Sequence, residues 1–167
     1  MKRVNIIIGI CLLLASYGQS QKYYYSFDEK IFLSEVPNKF VIGFDKQYLT
    51  EIETSLQSNG VEFQMGDNYC ILTMENTNLE TVKAFFSKQG GIKSINPMYI
   101  AADYGSEIVV TDEIVVQFKT DVQQQIINEM HEEYQVVVKE ATKHFQILSV
   151  PFGLDPLEIA NIRAESR

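Results

Sequence analysis

Asn38-Lys39-Phe40-Val41-Ile42-Gly43-Phe44 and Asp112-Glu113-Ile114-Val115-Val116-Gln117-Phe118 are one opening met twice in a chain of 167 residues. Each is a polar pair followed by a strand-like apolar run. After each come a helical stretch, two further apolar runs and a second helical stretch. Phe40 and Ile114, Phe44 and Phe118, Ile52 and Ile126, and Leu56 and Met130 are all 74 residues apart (114 − 40). Ile71-Leu72-Thr73 then answers to Ile147-Leu148-Ser149 after a small insertion. A fixed period of this length marks a repeated supersecondary unit. The first copy closes with the strand Ile92-Lys93-Ser94-Ile95, halted by Asn96-Pro97. The second stops at Arg167, inside its second helical stretch.

Local signals support the same order of elements. Tyr48, Ile52 and Leu56 lie four apart on one helix face, and Asn59-Gly60 ends that helix because Gly takes the left-handed position without steric cost. Val61–Met65 alternates with period two, Gly66-Asp67-Asn68 turns, and Tyr69–Met74 returns as a more fully apolar strand. Thr77-Asn78-Leu79-Glu80 has the capping-box pattern, with Leu79, Val82, Phe85 and Phe86 on the buried face of the helix it opens. In the second copy Val122, Ile126, Met130 and Tyr134 lie four apart. Gln135–Glu140 and Phe145–Val150 read as its inner strands. Asp155-Pro156-Leu157-Glu158 combines an N-cap Asp with Pro at the first helical position.

A β-α-β-β-α-β order builds a four-stranded antiparallel sheet with both helices on one face. The expected fold is therefore α+β, with two tandem ferredoxin-like units over 38–105 and 106–167, the second lacking its last strand. An aromatic β-hairpin over 19–37 precedes them, with Tyr23-Tyr24-Tyr25 and Ile31-Phe32-Leu33 as its arms and Pro37 as its boundary. Tyr99–Gly105 reads as a linker and Glu107–Val110 as an extra short strand. Each sheet would leave one face open, of mixed apolar and polar character. Loss of the last strand would expose the edge of Ile114–Phe118 unless Glu107–Val110 covers it.

Met1-Lys2-Arg3 followed by the apolar run Ile6–Ala15 has the form of a signal peptide over 1–18, its apolar core too short to span a bilayer. The expected location is secreted or periplasmic, with no membrane attachment after cleavage. Removing two cations, Lys2 and Arg3, takes the formal net charge from −8 to −10. Such an acidic chain repels phosphate backbones, which argues against nucleic acid as a partner. Of two cysteines only Cys70 lies beyond the signal peptide. It sits on an apolar stretch with no neighbouring cation to activate its thiol.

Catalytic chemistry finds little purchase. The two histidines, His131 and His144, read as solvated residues, His131 on the helix face away from Ile126 and Met130. A nucleophile needs a base in hydrogen-bond reach and a third group to orient it, and no such set is legible. Glu129, Glu132 and Glu133 form an acidic group near His131, but at this spacing they read as a solvated helix face rather than metal ligands. Gly60 and Gly90-Gly91 are helix stops, not phosphate loops. No catalytic, cofactor-binding or metal residues are expected.

The strand Asp112–Lys119, the return strand Ile147–Pro151 and the closing Ile95-Asn96-Pro97-Met98-Tyr99 together resemble the N-terminal prodomains of secreted bacterial subtilisin-like serine proteases, of the fervidolysin type. The resemblance covers nearly all of the mature chain through loose apolar patterns. It implies a module that templates folding of a subtilisin-like protease catalytic domain and then inhibits it, docking through its open sheet face. The family's strand-end Asp, His-Gly and Gly-Thr-Ser motifs have no counterpart here, and neither does its inhibitory tail. The expectation is thus a prodomain-like binding module without a catalytic domain, not an enzyme. The alternative is a stand-alone secreted interaction module of the same fold, with Tyr23–Phe32 as its contact patch.

Overall fold

Tyr23–Ser26 (β1) and Glu29–Phe44 (β2) form an antiparallel hairpin, with Tyr23 opposite Phe32 and Ser26 opposite Glu29. They belong to a computed structural model that describes residues 21–26, 29–118 and 122–165. The signal peptide expected over 1–18 lies outside the described residues. The hairpin is held by its aromatic rings. Tyr23 meets Tyr25 and Phe32 edge-on at 5.8 and 6.3 Å, and the Lys30 ammonium lies 3.5 Å from the Tyr23 ring centroid. β2 does not break at Pro37, where the sequence suggested a boundary. Its register with the neighbouring strand shifts between Glu35 and Phe40, and Asn38 takes a positive φ of 61°. The bulge absorbs the proline, which has no N–H to give a ladder.

The elements that follow are Leu49–Ser58 (α1), Glu62–Met65 (β3), Tyr69–Thr73 (β4), Leu79–Phe86 (α2) and Ile92–Ala101 (β5). A short 3-10 turn over Lys46–Tyr48 leads into α1, and Gly60, at φ 64°, lets the chain leave it. The Asn78 side-chain oxygen accepts from the Thr81 N–H at 2.9 Å and caps α2, one residue later than the capping-box pattern implied. β5 continues through Asn96-Pro97 instead of stopping there. At Pro97 the strand has a paired neighbour on the β2 side only, so the missing N–H forfeits no second ladder.

The first sheet runs β3-β4-β2-β5, all antiparallel, and Glu107–Ile108 (β6) adds to the outer edge of β5. Phe40, Ile42 and Phe44 on β2 alternate toward one face. There they meet Ile52 and Leu56 of α1 and Val82 and Phe86 of α2 in one core. Both helices therefore cover the same side of this sheet. Each fully buried side chain of this kind contributes about 1.5–3 kcal/mol relative to exposure.

The second half comprises Glu113–Val116 (β7), Gln124–Glu133 (α3), Val137–Ala141 (β8), Gln146–Ser149 (β9) and Pro156–Glu165 (α4). Its sheet has three described strands in the order β7-β9-β8. Ile114 pairs with Leu148 as Phe40 pairs with Leu72, so this sheet follows the path of β2-β4-β3 with no described strand in the place of β5. β6 does not cover β7, although Glu107–Val110 was the available candidate; Tyr99 and Ile100 of β5 take it instead. The buried face of α3 also differs from the expectation. Ile127 is buried while Ile126 is 46% exposed, and His131 sits one helical turn beyond Ile127, its ring edge-on to Phe118 at 6.2 Å. The helix pairing is thus Ile52 with Ile127, one residue longer than the strand offset.

α4 opens as its sequence implied. The Asp155 carboxylate accepts from the Leu157 N–H at 2.9 Å and pairs with Lys22. Leu157 joins Ile31, Leu33, Tyr99 and Val110 in a core that ties the hairpin and β5 to the second half. Asn161 adds a hydrogen bond at 2.7 Å from its side-chain N–H to the Tyr23 carbonyl. The chain is an α+β protein of two antiparallel sheets and four described helices.

Candidate docking surfaces

An antiparallel sheet with helices on one side offers its other side to solvent or to a partner. On the first sheet much of that other side is already taken. Val41 alternates away from the helices and is nevertheless completely buried. Asp112 is buried as well and lies over Gly43, so that a Cβ added at Gly43 would stand 3.6 Å from its carboxylate and only 2.4 Å from the Ser94 hydroxyl. The Asn96 side-chain N–H donates to the Val110 carbonyl at 3.0 Å. Residues 110–112, which enter the second half, therefore cover the β2–β5 part of this face. The β4 side of the face keeps Tyr69 and Ile71 half-buried.

The second sheet presents its outer face openly. Ile114, Val116 and Leu148 turn into the core, which leaves Glu113, Val115, Ile147 and Ser149 on the other side. Val115 is 69% exposed and Val137 63%, the largest exposures of aliphatic side chains among the described residues. Beside them Lys139 bonds to Glu113 across the sheet. That hydrogen bond chiefly holds the Lys139 ammonium above the ordinary lysine pKa, with partial burial opposing. An ion pair this exposed contributes at most about 1 kcal/mol. It does set the character of the face, two valines beside a paired charge.

A separate cleft of about 330 Å³ runs between β5, the start of α2 and residues 150–156. Its cations are engaged: Lys83 with Glu80 at 2.9 Å, Lys93 with Asp45 at 3.6 Å, and Lys22 with Asp155. Tyr99 lines it, and burial first, then the Glu35 and Asp155 carboxylates, hold its phenol protonated well above the usual tyrosine range. Such a phenol is a hydrogen-bond donor and a poor base. Asp112 accepts from the Ser149 hydroxyl at 3.0 Å, which satisfies one oxygen of a buried carboxylate.

Cys70 is fully buried in the first core, and burial pushes its thiol pKa up to about 12, the opposite of activation. His144 is exposed in the β8–β9 turn, its backbone N–H donating to the Thr142 hydroxyl at 3.2 Å. Glu129 accepts from Gln125 at 2.8 Å, and Glu132 and Glu133 are exposed. Among the described residues no three His, Cys, Asp or Glu side chains come together as a metal-ligand group. Among the same residues no helix is long and apolar enough to cross a membrane. Sequence reasoning missed Asp112, whose burial over Gly43 has no local signal beyond a glycine inside a strand.

No family model, curated protein or solved structure matches the chain.

Proposed function

We propose that this chain is a secreted binding module of two tandem ferredoxin-like units, of the kind that accompanies subtilisin-like serine proteases as a prodomain. It acts by docking on a catalytic domain, not by chemistry of its own. The observation that carries the reading is the outer face of the second sheet, where Val115 and Val137 are left to solvent beside the Glu113–Lys139 pair. Exposed aliphatic residues rimmed by charge are what a protein partner buries. The strand path β3-β4-β2-β5, with α1 and α2 in one core, supports the ferredoxin-like assignment of the first unit. The path β7-β9-β8 supports the same assignment for the described residues of the second.

The test is inhibition and assisted refolding of the secreted subtilisin-like protease of the same organism by the purified mature chain. Binding is expected to slow hydrolysis of a peptide substrate and to raise the yield of refolded protease. Val115→Asp and Val137→Asp are expected to weaken both effects while leaving the circular dichroism spectrum unchanged. A chain that neither slows the protease nor raises its refolding yield, at any concentration to the solubility limit, would sink the proposal.

A further inference from the structure

The cleft beside β5 lies against a peptide group that the sheet leaves unpaired. The Phe44 N–H donates to the Asn68 carbonyl and the Met74 N–H to the Asn38 carbonyl, both at 2.9 Å. Even-numbered residues of β2 therefore turn their backbone groups to β4, and Val41 and Gly43 turn theirs to β5. Their opposites, Asn96 and Ser94, face β2 in return, so Ile95 between them directs its N–H and C=O to the outer edge. The same alternation holds farther along β5. There the Ala102 N–H donates to the Phe32 carbonyl and the Ala101 N–H, on the other edge, to the Ser106 carbonyl, each at 2.9 Å. β6 pairs with Tyr99 and Ile100 only, and Pro97 has no N–H. Ile95 is buried, and its N–H and C=O have no partner among the described residues. Buried backbone groups are nearly always paired, and what lies against this one is the cleft.

The charged side chains of the cleft divide between paired and unpaired. Lys22, Lys83 and Lys93 each hold a carboxylate of this chain. Glu35, opposite Tyr99 in the sheet, has no ion pair among the described residues. Asp112 is buried, with one carboxylate oxygen on Ser149 and the other without a hydrogen bond among the same residues. Lys139 lies near enough to feel its charge but is bonded to Glu113. The Ser94 hydroxyl, which shares the space over Gly43 with Asp112, is buried without a partner. A buried carboxylate gains most from a cation that meets its open oxygen. Phe152 and Leu154, exposed on the loop that forms the opposite wall, offer apolar contact to groups beside that cation. At about 330 Å³ the cleft has the size of a small-ligand site.

We infer that this cleft binds a short basic peptide, whose main chain pairs with the Ile95 N–H and C=O and whose Lys or Arg cation meets Asp112. Glu35 adds negative potential toward the other end. The site is separate from the outer face of the second sheet and needs no protease.

The probe is the tripeptide acetyl-Ala-Lys-Ala amide, titrated into the full chain labelled with ¹⁵N and followed by amide chemical shifts. Saturable shifts are expected at Ile95 and Ser94, with Leu72 in the first core unmoved. The same peptide with norleucine for Lys keeps the main chain and loses the cation, and is expected to bind roughly tenfold or more weakly. Asp112→Asn is expected to weaken the Lys peptide to the same degree, and Glu35→Gln, at an exposed position, roughly twofold to fivefold. Any one of three results overturns the proposal. The first is no saturable shift with the Lys peptide up to its solubility limit. The second is equal binding of the norleucine peptide. The third is unweakened binding by both variants, each shown to be folded by circular dichroism. Should Asp112→Asn fail to fold, the norleucine comparison and Glu35→Gln decide the matter.

Discussion

Gly43→Ala tests how closely β5 packs on β2 beneath the start of the second half. The new Cβ would stand 2.4 Å from the Ser94 hydroxyl oxygen, closer than a Cβ contact can be, and 3.6 Å from the Asp112 carboxylate, an ordinary contact. The collision is therefore with Ser94 alone. Ser94 is only 7% exposed, so its hydroxyl, which no hydrogen bond holds among the described residues, must turn into closely packed surroundings to make room. Overpacking of this kind costs about 1–3 kcal/mol, against a gain of about 0.5–1 kcal/mol for Ala over Gly inside a strand. The net expectation for Gly43→Ala is a loss of about 1–2 kcal/mol. Ser94→Ala removes a buried polar group that has no partner, and should be neutral or stabilising by about 1 kcal/mol. In the Ser94→Ala background the collision is gone, and Gly43→Ala should gain its backbone benefit. The two substitutions are then coupled by about 2 kcal/mol. Urea unfolding of the four proteins, followed by circular dichroism at pH 7, measures that coupling, with hydrogen exchange at Val41 as a residue-level check. A coupling below about 0.5 kcal/mol, with Gly43→Ala equally costly in both backgrounds, would refute the packing described at this junction.

The second half is expected to open more readily than the first, because its sheet has three described strands and β8 is exposed along its whole length. Amides over Ile114–Val150 should exchange faster than those over Phe40–Ile95 in monomeric protein, and slower exchange there would contradict the account. Cys70 sets a pH dependence, because burial pushes its thiol up from 9.0 to about 12 in the folded chain. Between those values the native state holds the extra proton, so stability falls as pH rises, by at most about 1.4 kcal/mol per unit for this group. Cys70→Ala should flatten that fall between pH 9 and 10, and an unchanged slope would mean that the thiol is not what titrates.

The order of strands and helices was legible in the sequence because it is written in local periodicity and in capping and turn residues. Asp155-Pro156 announced α4 and Gly60 the end of α1, since each meets a backbone need within a few residues of itself. The repeat made the shared path of β2-β4-β3 and β7-β9-β8 foreseeable. Both prolines misled. Pro37 and Pro97 are breakers only where an N–H is needed, and whether it is needed depends on the strands alongside, not on the proline's own neighbours in sequence. The face of α3 was ambiguous for a similar reason. Ile126 and Ile127 are adjacent, so either can begin a four-apart series, and packing chose Ile127. Tertiary structure alone decided that β6 joins β5 and not β7, and that Asp112 is buried over Gly43. Those outcomes turn on which surfaces lie within reach of a short segment once both sheets have formed. Such distances are properties of the folded whole, and no window of sequence contains them.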